Sequence, residues 1–158
     1  KVGIIFQNPD HQIIFPTVGE ELRIGLTQLG INRNEADLKV IACLKEYDKV
    51  NWFERSISTL SQGQKHLVCL LSILLMKPMV LLLDEPFTGI DIPTQRKLER
   101  YLGSLKQTII HVSHLPETFE NYQRLIWMDE GVVKADGPPK TVTKKYKDAM
   151  NKYNEKNI

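Results

Sequence analysis

The stretch Val80-Leu81-Leu82-Leu83-Asp84-Glu85-Pro86 decides the fold class of this chain. Its four aliphatic residues predict a buried β-strand, and that strand runs directly into two adjacent carboxylates. A hard cation such as Mg²⁺ requires oxygen ligands, and a second carboxylate beside it can polarise an attacking water. The stretch therefore indicates a magnesium–nucleotide site; the alternative is a strand end followed by solvated acids.

Apolar runs on either side of this stretch extend the pattern. Residues 2–6 and 108–112 predict two more strands, the first of them buried on both faces, and residues 59–76 and 93–105 predict helices between strands. Strands that alternate with helices favour an α/β fold with a mostly parallel sheet. Ligands of such sheets bind beyond the carboxyl ends of the strands, and these ends hold Gln7, Asp84, Glu85 and His114.

Two further regions complete the outline. Residues 17–58 are rich in helix formers and predict a helical insertion, with one helix ending near Gly30 and a second capped by Asn34. Residues 124–128 and 132–135 predict two strands joined at Glu130-Gly131.

The segment Leu60-Ser61-Gln62-Gly63-Gln64-Lys65, here called the signature segment, stands where a helix is predicted to begin. A helix N-terminus offers free N–H groups and a positive dipole end to a phosphate, and Gly63 permits close backbone approach. A serine N-cap with a polar first turn is the alternative interpretation.

Composition limits the function classes. The 158 residues carry 21 basic and 19 acidic side chains, a net charge of +2, which gives no electrostatic argument for nucleic-acid binding. Cys43 and Cys69 lack metal-binding spacing and are expected to be small core residues of a reduced protein. His11 and His66 are expected at the surface or at an interface.

Five segments in this order resemble the nucleotide-binding domain of ATP-binding cassette (ABC) transporters, a P-loop NTPase fold. They are similar to its Q-loop, signature motif, Walker B motif, D-loop and H-switch, and the resemblance covers nearly the whole chain. The matching positions are Gln7, the signature segment, residues 83–86, residues 88–91 (here called the D-loop segment) and residues 112–114.

The resemblance implies a role for each motif residue. Glu85 activates the hydrolytic water and His114 contacts the γ-phosphate, while Asp84 and Gln7 hold Mg²⁺. Gln7 is also expected to touch the lytic water and to sense the membrane partner. A second ATPase subunit, in a homodimer by preference, packs head to tail with the first and sandwiches two ATP molecules. Residues expected at that seam are Ser61, Gly63 and Gln64, which bind the γ-phosphate of ATP on the opposite subunit, and Asp91, which couples the two sites.

The sequence departs from the family pattern at two points. Gln62 stands where the family usually has glycine, and none of the nine glycines is followed by lysine, so the G-x-x-x-x-G-K-[ST] phosphate loop is not found. We therefore expect the N-terminal portion of the domain, with its Walker A motif, to precede Lys1. A chain that truly began at Lys1 is expected to contribute only its signature motif, in trans.

Residues 6–18 resemble more specifically the A-component ATPases of energy-coupling-factor (ECF) importers. There, this region receives a coupling helix of the transmembrane T component, and an amphipathic helix in a groove is a common recognition mode. The resemblance implies an apolar floor and an acidic rim; the alternative is that these residues form the core of the helical insertion. The floor would be Ile13, Ile14, Phe15 and Val18, and the rim Glu20 and Glu21.

Within that family, the signature segment, residues 84–89 and residues 124–127 look most like the biotin branch. Cobalt and nickel importers and the shared vitamin module remain open. The resemblance implies an ATPase at the cytoplasmic face of the bacterial membrane, bound peripherally through the T component and indirectly to a substrate-binding S component. A soluble ABC-type ATPase of DNA repair or translation is the rival enzyme class.

The expected domain organisation is a single partial ABC ATPase domain over residues 1–158. A helical subdomain insertion is expected at about residues 12–58, within a nucleotide-binding core formed by residues 1–11 and 59–139. Residues 140–158 form a basic tail.

Overall fold

The computed structural model describes residues 1–156, and it describes side chains as far as Asn151. The chain divides into two compact units, Lys1–Val112 and Ser113–Ile158.

A three-stranded parallel sheet organises the first unit. Its strands are β1 (Val2–Ile5), β2 (Val80–Asp84) and β3 (Thr108–Val112), with β2 in the centre. The register pairs Ile5 with Leu83 and Leu83 with His111, so all three strands end at the same edge. The predicted α/β fold with a parallel sheet is confirmed.

The four α-helices of the first unit lie in the regions where the sequence predicts helices. They are α1 (Val18–Gln28), α2 (Arg33–Glu46), α3 (Gln62–Leu75) and α4 (Ile92–Ser104), with short 3-10 turns at Pro9–His11, Val50–Trp52 and Ile57–Thr59. Asn32 rather than Asn34 caps α2, because its side chain accepts the Glu35 backbone N–H at 2.9 Å. Whether residues 12–58 form a separate insertion stays a prediction.

The hydrophobic core gathers around α3, whose side chains from Leu67 to Leu74 are all buried. The expectation that β1 is buried on both faces is wrong. Gly3 and Ile5 are buried, whereas Val2 and Ile4 are exposed on the opposite face. The reason is that α3 packs against one face of the strand, where Gly3 lies under Ile73.

The second unit contains an antiparallel hairpin and a helix. Strands β4 (Leu125–Asp129) and β5 (Val132–Gly137) are joined by Glu130 and Gly131, both with positive φ, as a tight hairpin turn requires. Helix α5 (Pro139–Lys156) covers most of the predicted basic tail and packs on the hairpin through the Tyr146 and Trp127 rings. A 3-10 turn, Pro116–Phe119, precedes the hairpin.

Neither cysteine forms a disulfide: Cys69 is buried and Cys43 is partly buried. Within residues 1–156, no helix has the length and hydropathy needed to cross a membrane.

Candidate functional site

Gln7 and Glu85 follow neighbouring strands at the same edge of the sheet. Each follows by two residues a member of the registered pair Ile5–Leu83 on neighbouring parallel strands. Glu85 has a φ of 47°, and its N–H donates to the Val112 carbonyl at 3.0 Å. Positive φ is uncommon for a glutamate, and such backbone strain concentrates at functional sites. Local backbone geometry therefore singles out the second carboxylate of the Asp84-Glu85 pair.

The possible metal ligands at this edge suit Mg²⁺ rather than a metal whose ligands all come from the protein. Among the described residues, no group of three or more His, Cys, Asp or Glu side chains could hold a metal ion. The Asp84 carboxylate and the Gln7 amide offer oxygen atoms from neighbouring strand ends. Mg²⁺ fits such a sparse set, because it keeps several of its waters and takes only one or two protein carboxylates.

His111 and Phe87 pack edge to face near the same strand end, with ring centroids 5.6 Å apart. Burial lowers the pKa of His111 to about 4, against a smaller opposing effect of the Glu85 charge. His111 is therefore neutral at physiological pH. His114 lies in the second unit, and its γ-phosphate contact stays a prediction.

Ser61 and Gln64 form a reciprocal capping box at the start of α3. Ser61 Oγ accepts the Gln64 backbone N–H at 3.3 Å, and Gln64 Oε1 accepts the Ser61 N–H at 3.1 Å. The serine cap considered from sequence is thus present. It is compatible with anion binding, because the Ser61 hydroxyl proton and the Gln64 amide NH₂ are not consumed by these two bonds.

The signature segment and the D-loop segment touch at two glycines. A Cβ on Gly63 would overlap the Gly89 carbonyl, and Gly89 itself has a φ of 73°. Asp91 follows as the N-cap of α4, with Oδ1 accepting the Thr94 backbone N–H at 3.0 Å. That hydrogen bond lowers the pKa of Asp91. The structure therefore brings two of the predicted motifs into direct contact within one chain.

His66 is a functional candidate that sequence reasoning misplaced. The expected surface histidine is only 2% exposed, with Nδ1 3.1 Å from the Thr88 carbonyl and Nε2 3.2 Å from the Phe6 carbonyl. Helical spacing was the available signal, because position 66 falls on the same apolar face as Leu67 and Leu70. His11 is exposed, as expected.

Only some of the residues expected in the partner groove are exposed. Ile14 is 78% exposed and Ile13 and Phe15 are partly exposed, as an accessible floor requires. Val18 is fully buried in the core and Glu21 is 4% exposed, so their assignment to floor and rim is wrong. The Glu21 carboxylate instead points inward.

Glu21 shapes the loop that carries the exposed residues. Its Oε2 accepts the backbone N–H groups of Ile14 and Phe15, each at 2.9 Å. Glu20 accepts the Thr17 hydroxyl at 2.7 Å and remains partly exposed. Glu21 is therefore a structural support of this surface rather than part of it.

Comparison with known proteins identifies the family. The profile of the ABC transporter family matches residues 1–88, and the chain belongs to this family. The biotin transport ATP-binding protein BioM of Rhodobacter capsulatus is 44% identical over 149 residues, which cover 94% of this chain and 64% of that protein. A putative ABC transporter ATP-binding protein of Bartonella quintana is 38% identical, covering 92% of this chain and 65% of the relative.

Solved structures confirm the fold. CbiO1 of Clostridium perfringens, described as part of the ABC transporter complex CbiONQ, is 30% identical with a TM-score of 0.73, covering 97% of this chain and 62% of that one. An ATP-binding cassette dimer with ADP and phosphate bound has a TM-score of 0.79 at 23% identity, covering 88% of this chain and 63% of that one. The chain thus spans a little under two thirds of the length of these proteins.

Proposed function

We propose that this chain belongs to the ATP-hydrolysing subunit of an ECF-type importer. The observation that carries the proposal is that Gln7 and Glu85 follow neighbouring parallel strands at one edge of the sheet, while the signature segment packs on the D-loop segment. In the proposed arrangement this edge holds the metal and the lytic water, and the signature segment faces the ATP of the opposite subunit. The similarity to BioM, a biotin transport ATP-binding protein, and to CbiO1, part of an ABC transporter complex, supports the same function.

Each motif residue has a distinct proposed part in the reaction. Glu85 polarises the attacking water, and Asp84 with Gln7 holds Mg²⁺, which when bound neutralises charge on the phosphates. His114 contacts the γ-phosphate of the same ATP. The opposite subunit completes the site across the dimer seam, with Ser61, Gly63 and Gln64 contacting that γ-phosphate and Asp91 coupling the two sites.

The proposed membrane partner is a transmembrane T component. The exposed Ile14, with Ile13 and Phe15 beside it, offers an apolar contact to a coupling helix. The ATPase would then bind peripherally at the cytoplasmic face and act on the substrate-binding S component only through the T component. Biotin is the favoured cargo because the 44% identity to a biotin transport ATP-binding protein exceeds the 30% identity to CbiO1.

The catalytic assignment is tested by Glu85→Gln in the full-length protein. We expect ATP binding to persist and steady-state hydrolysis to fall by about two to four orders of magnitude, because the lytic water loses its base. Glu35→Gln, which removes only an exposed ion pair with Lys39, serves as the matched control and should hydrolyse ATP normally. Normal turnover in Glu85→Gln would overturn the assignment.

The cargo requires a separate measurement. Uptake by the assembled transporter is measured with labelled biotin and with divalent cobalt and nickel. ATP-dependent accumulation of biotin alone supports the proposal, whereas accumulation of a metal ion contradicts the biotin assignment and leaves the ATPase function intact.

A further inference from the structure

One face of the first two turns of α3 binds the segment that follows β1. Four residues at the spacing of a single helical face each contact residues 6–10, here called the 6–10 segment. They are Gln62, Lys65, His66 and Cys69. Gln7 lies within this segment. The face therefore joins the start of the signature segment to the backbone that positions Gln7.

Asp10 receives two of these contacts at once. Gln62 Nε2 donates to Asp10 Oδ2 at 2.9 Å, and Lys65 Nζ donates to Asp10 Oδ1 at 2.7 Å. Each carboxylate oxygen thus has its own donor, and these hydrogen bonds lower the pKa of Asp10. Hydrogen bonds to an ionised acceptor are stronger and shorter than neutral ones, so the pair of bonds restrains Asp10 from two directions.

The hydrogen bond to Asp10 gives a structural reason for Gln62, the residue at which the signature segment departs from the family pattern. A glycine at position 62 could not reach Asp10, whereas the Gln62 amide spans the distance across 52 positions of sequence. The side chain of Gln62 therefore makes its hydrogen bond within its own chain. Ser61, Gly63 and Gln64 on either side of it keep the roles proposed above.

We propose that Gln62 is a positioning residue, which acts through Asp10 to hold the signature segment and the 6–10 segment in one fixed arrangement. The inference rests on the proposed function, because it assigns Gln62 to the ATP site that the signature segment completes on the opposite subunit. Gln62 itself does not touch ATP in this assignment. Its loss displaces the neighbouring phosphate-binding groups and weakens productive binding of ATP.

A donor–acceptor reversal tests this pairing with almost no change of shape. In Gln62→Glu, two carboxylates face each other, and we expect the KM for ATP of the full-length protein to rise about tenfold with kcat changed less than twofold. In Asp10→Asn combined with Gln62→Glu, the asparagine amide donates to the new glutamate. We expect this double variant to return the KM to within about threefold of the wild-type value.

The outcomes separate this inference from the proposed function. Thermal unfolding of every variant, and the control Glu35→Gln, establish that the fold is retained. If the wild-type protein hydrolyses ATP and Gln62→Glu leaves the KM unchanged, or the double variant gains nothing over Gln62→Glu, the inference is overturned and the proposed function stands. If the wild-type protein itself neither binds nor hydrolyses ATP, the proposed function fails and this inference fails with it.

Discussion

Gly63 and Gly89 pack backbone against backbone, so that a side chain on Gly63 would overlap Gly89 and one on Gly89 would make a tight contact. A Cβ on Gly89 would lie 3.2 Å from Gly63 Cα, and one on Gly63 would overlap the Gly89 carbonyl and approach Ile90 N at 3.1 Å. Because both partners are main chain, neither can move aside by rotating a bond. This contact couples the first turn of α3 rigidly to the loop that leads into α4.

Gly63→Ala should therefore force the two backbones apart. We expect a loss of about 1–3 kcal/mol in the free energy of unfolding, the range seen when a tightly packed site is overfilled. Urea titration followed by circular dichroism measures the change. Gly103→Ala is the matched control, because its Cβ meets no atom within 4 Å and alanine in a helix is favoured over glycine by roughly 0.5–1 kcal/mol. Equal stability of the two variants would contradict the packing argument.

The parts of the site that could be predicted follow from local pattern. The apolar run before Asp84-Glu85 predicts a strand with a polar end. Parallel strands bring their carboxyl ends to one edge of the sheet, and Gln7 follows a strand at the same edge. Contacts between distant segments could not be predicted in this way. Nothing in the neighbourhood of Gln62 indicates that its partner is Asp10, 52 positions earlier.

Glu21 shows a different reason for failure. The resemblance to ECF A components implied that Glu21 lies on an exposed rim, although helical spacing places it on the buried face with Val18 and Leu22. A carboxylate is buried there at acceptable cost because two backbone N–H groups pair with it. The helical periodicity of α1 therefore predicts that Glu21 is buried.

Stability should rise with pH between about pH 4 and pH 6.5 because of His111. Its pKa is lowered to about 4 in the folded protein, mainly by burial, so the unfolded chain binds more protons across this interval. The stabilisation is complete above pH 6.5 and is lost as the pH falls through about 4; its size is about 3 kcal/mol at most.

Unfolding free energies of His111→Phe at pH 7 and pH 4.5 measure that contribution, since phenylalanine keeps a ring against Phe87 without titrating. The difference between the two pH values should shrink relative to the wild type. His11→Gln replaces an exposed histidine and should leave the difference unchanged. A wild-type difference preserved in His111→Phe would exclude His111 as its source.

Glu21→Ala should loosen the loop that carries Ile14. The substitution removes the shared acceptor of two backbone N–H groups in a partly buried loop, and we expect a loss of about 1–3 kcal/mol in unfolding free energy. Amide hydrogen exchange of Ile14 and Phe15 should accelerate as well. Glu20→Ala is the comparison: its partner is the Thr17 hydroxyl, which can rotate to water, so the effect should be smaller. Unchanged exchange at Ile14 in Glu21→Ala would refute the supporting role.

His66→Leu should destabilise the contact between α3 and the segments that pack on it. The two ring nitrogens lie near the Thr88 and Phe6 carbonyls, and either tautomer of a neutral imidazole carries one N–H, which donates to one of them. Leucine would remove that hydrogen bond at a cost of roughly 1–3 kcal/mol in unfolding free energy. His66→Gln keeps an N–H donor for a backbone carbonyl, so its loss of unfolding free energy should be smaller than that of His66→Leu. Both variants are compared with the wild type by urea unfolding at pH 7. If leucine is tolerated as well as glutamine, hydrophobic packing rather than a hydrogen bond to a backbone carbonyl explains why position 66 is buried.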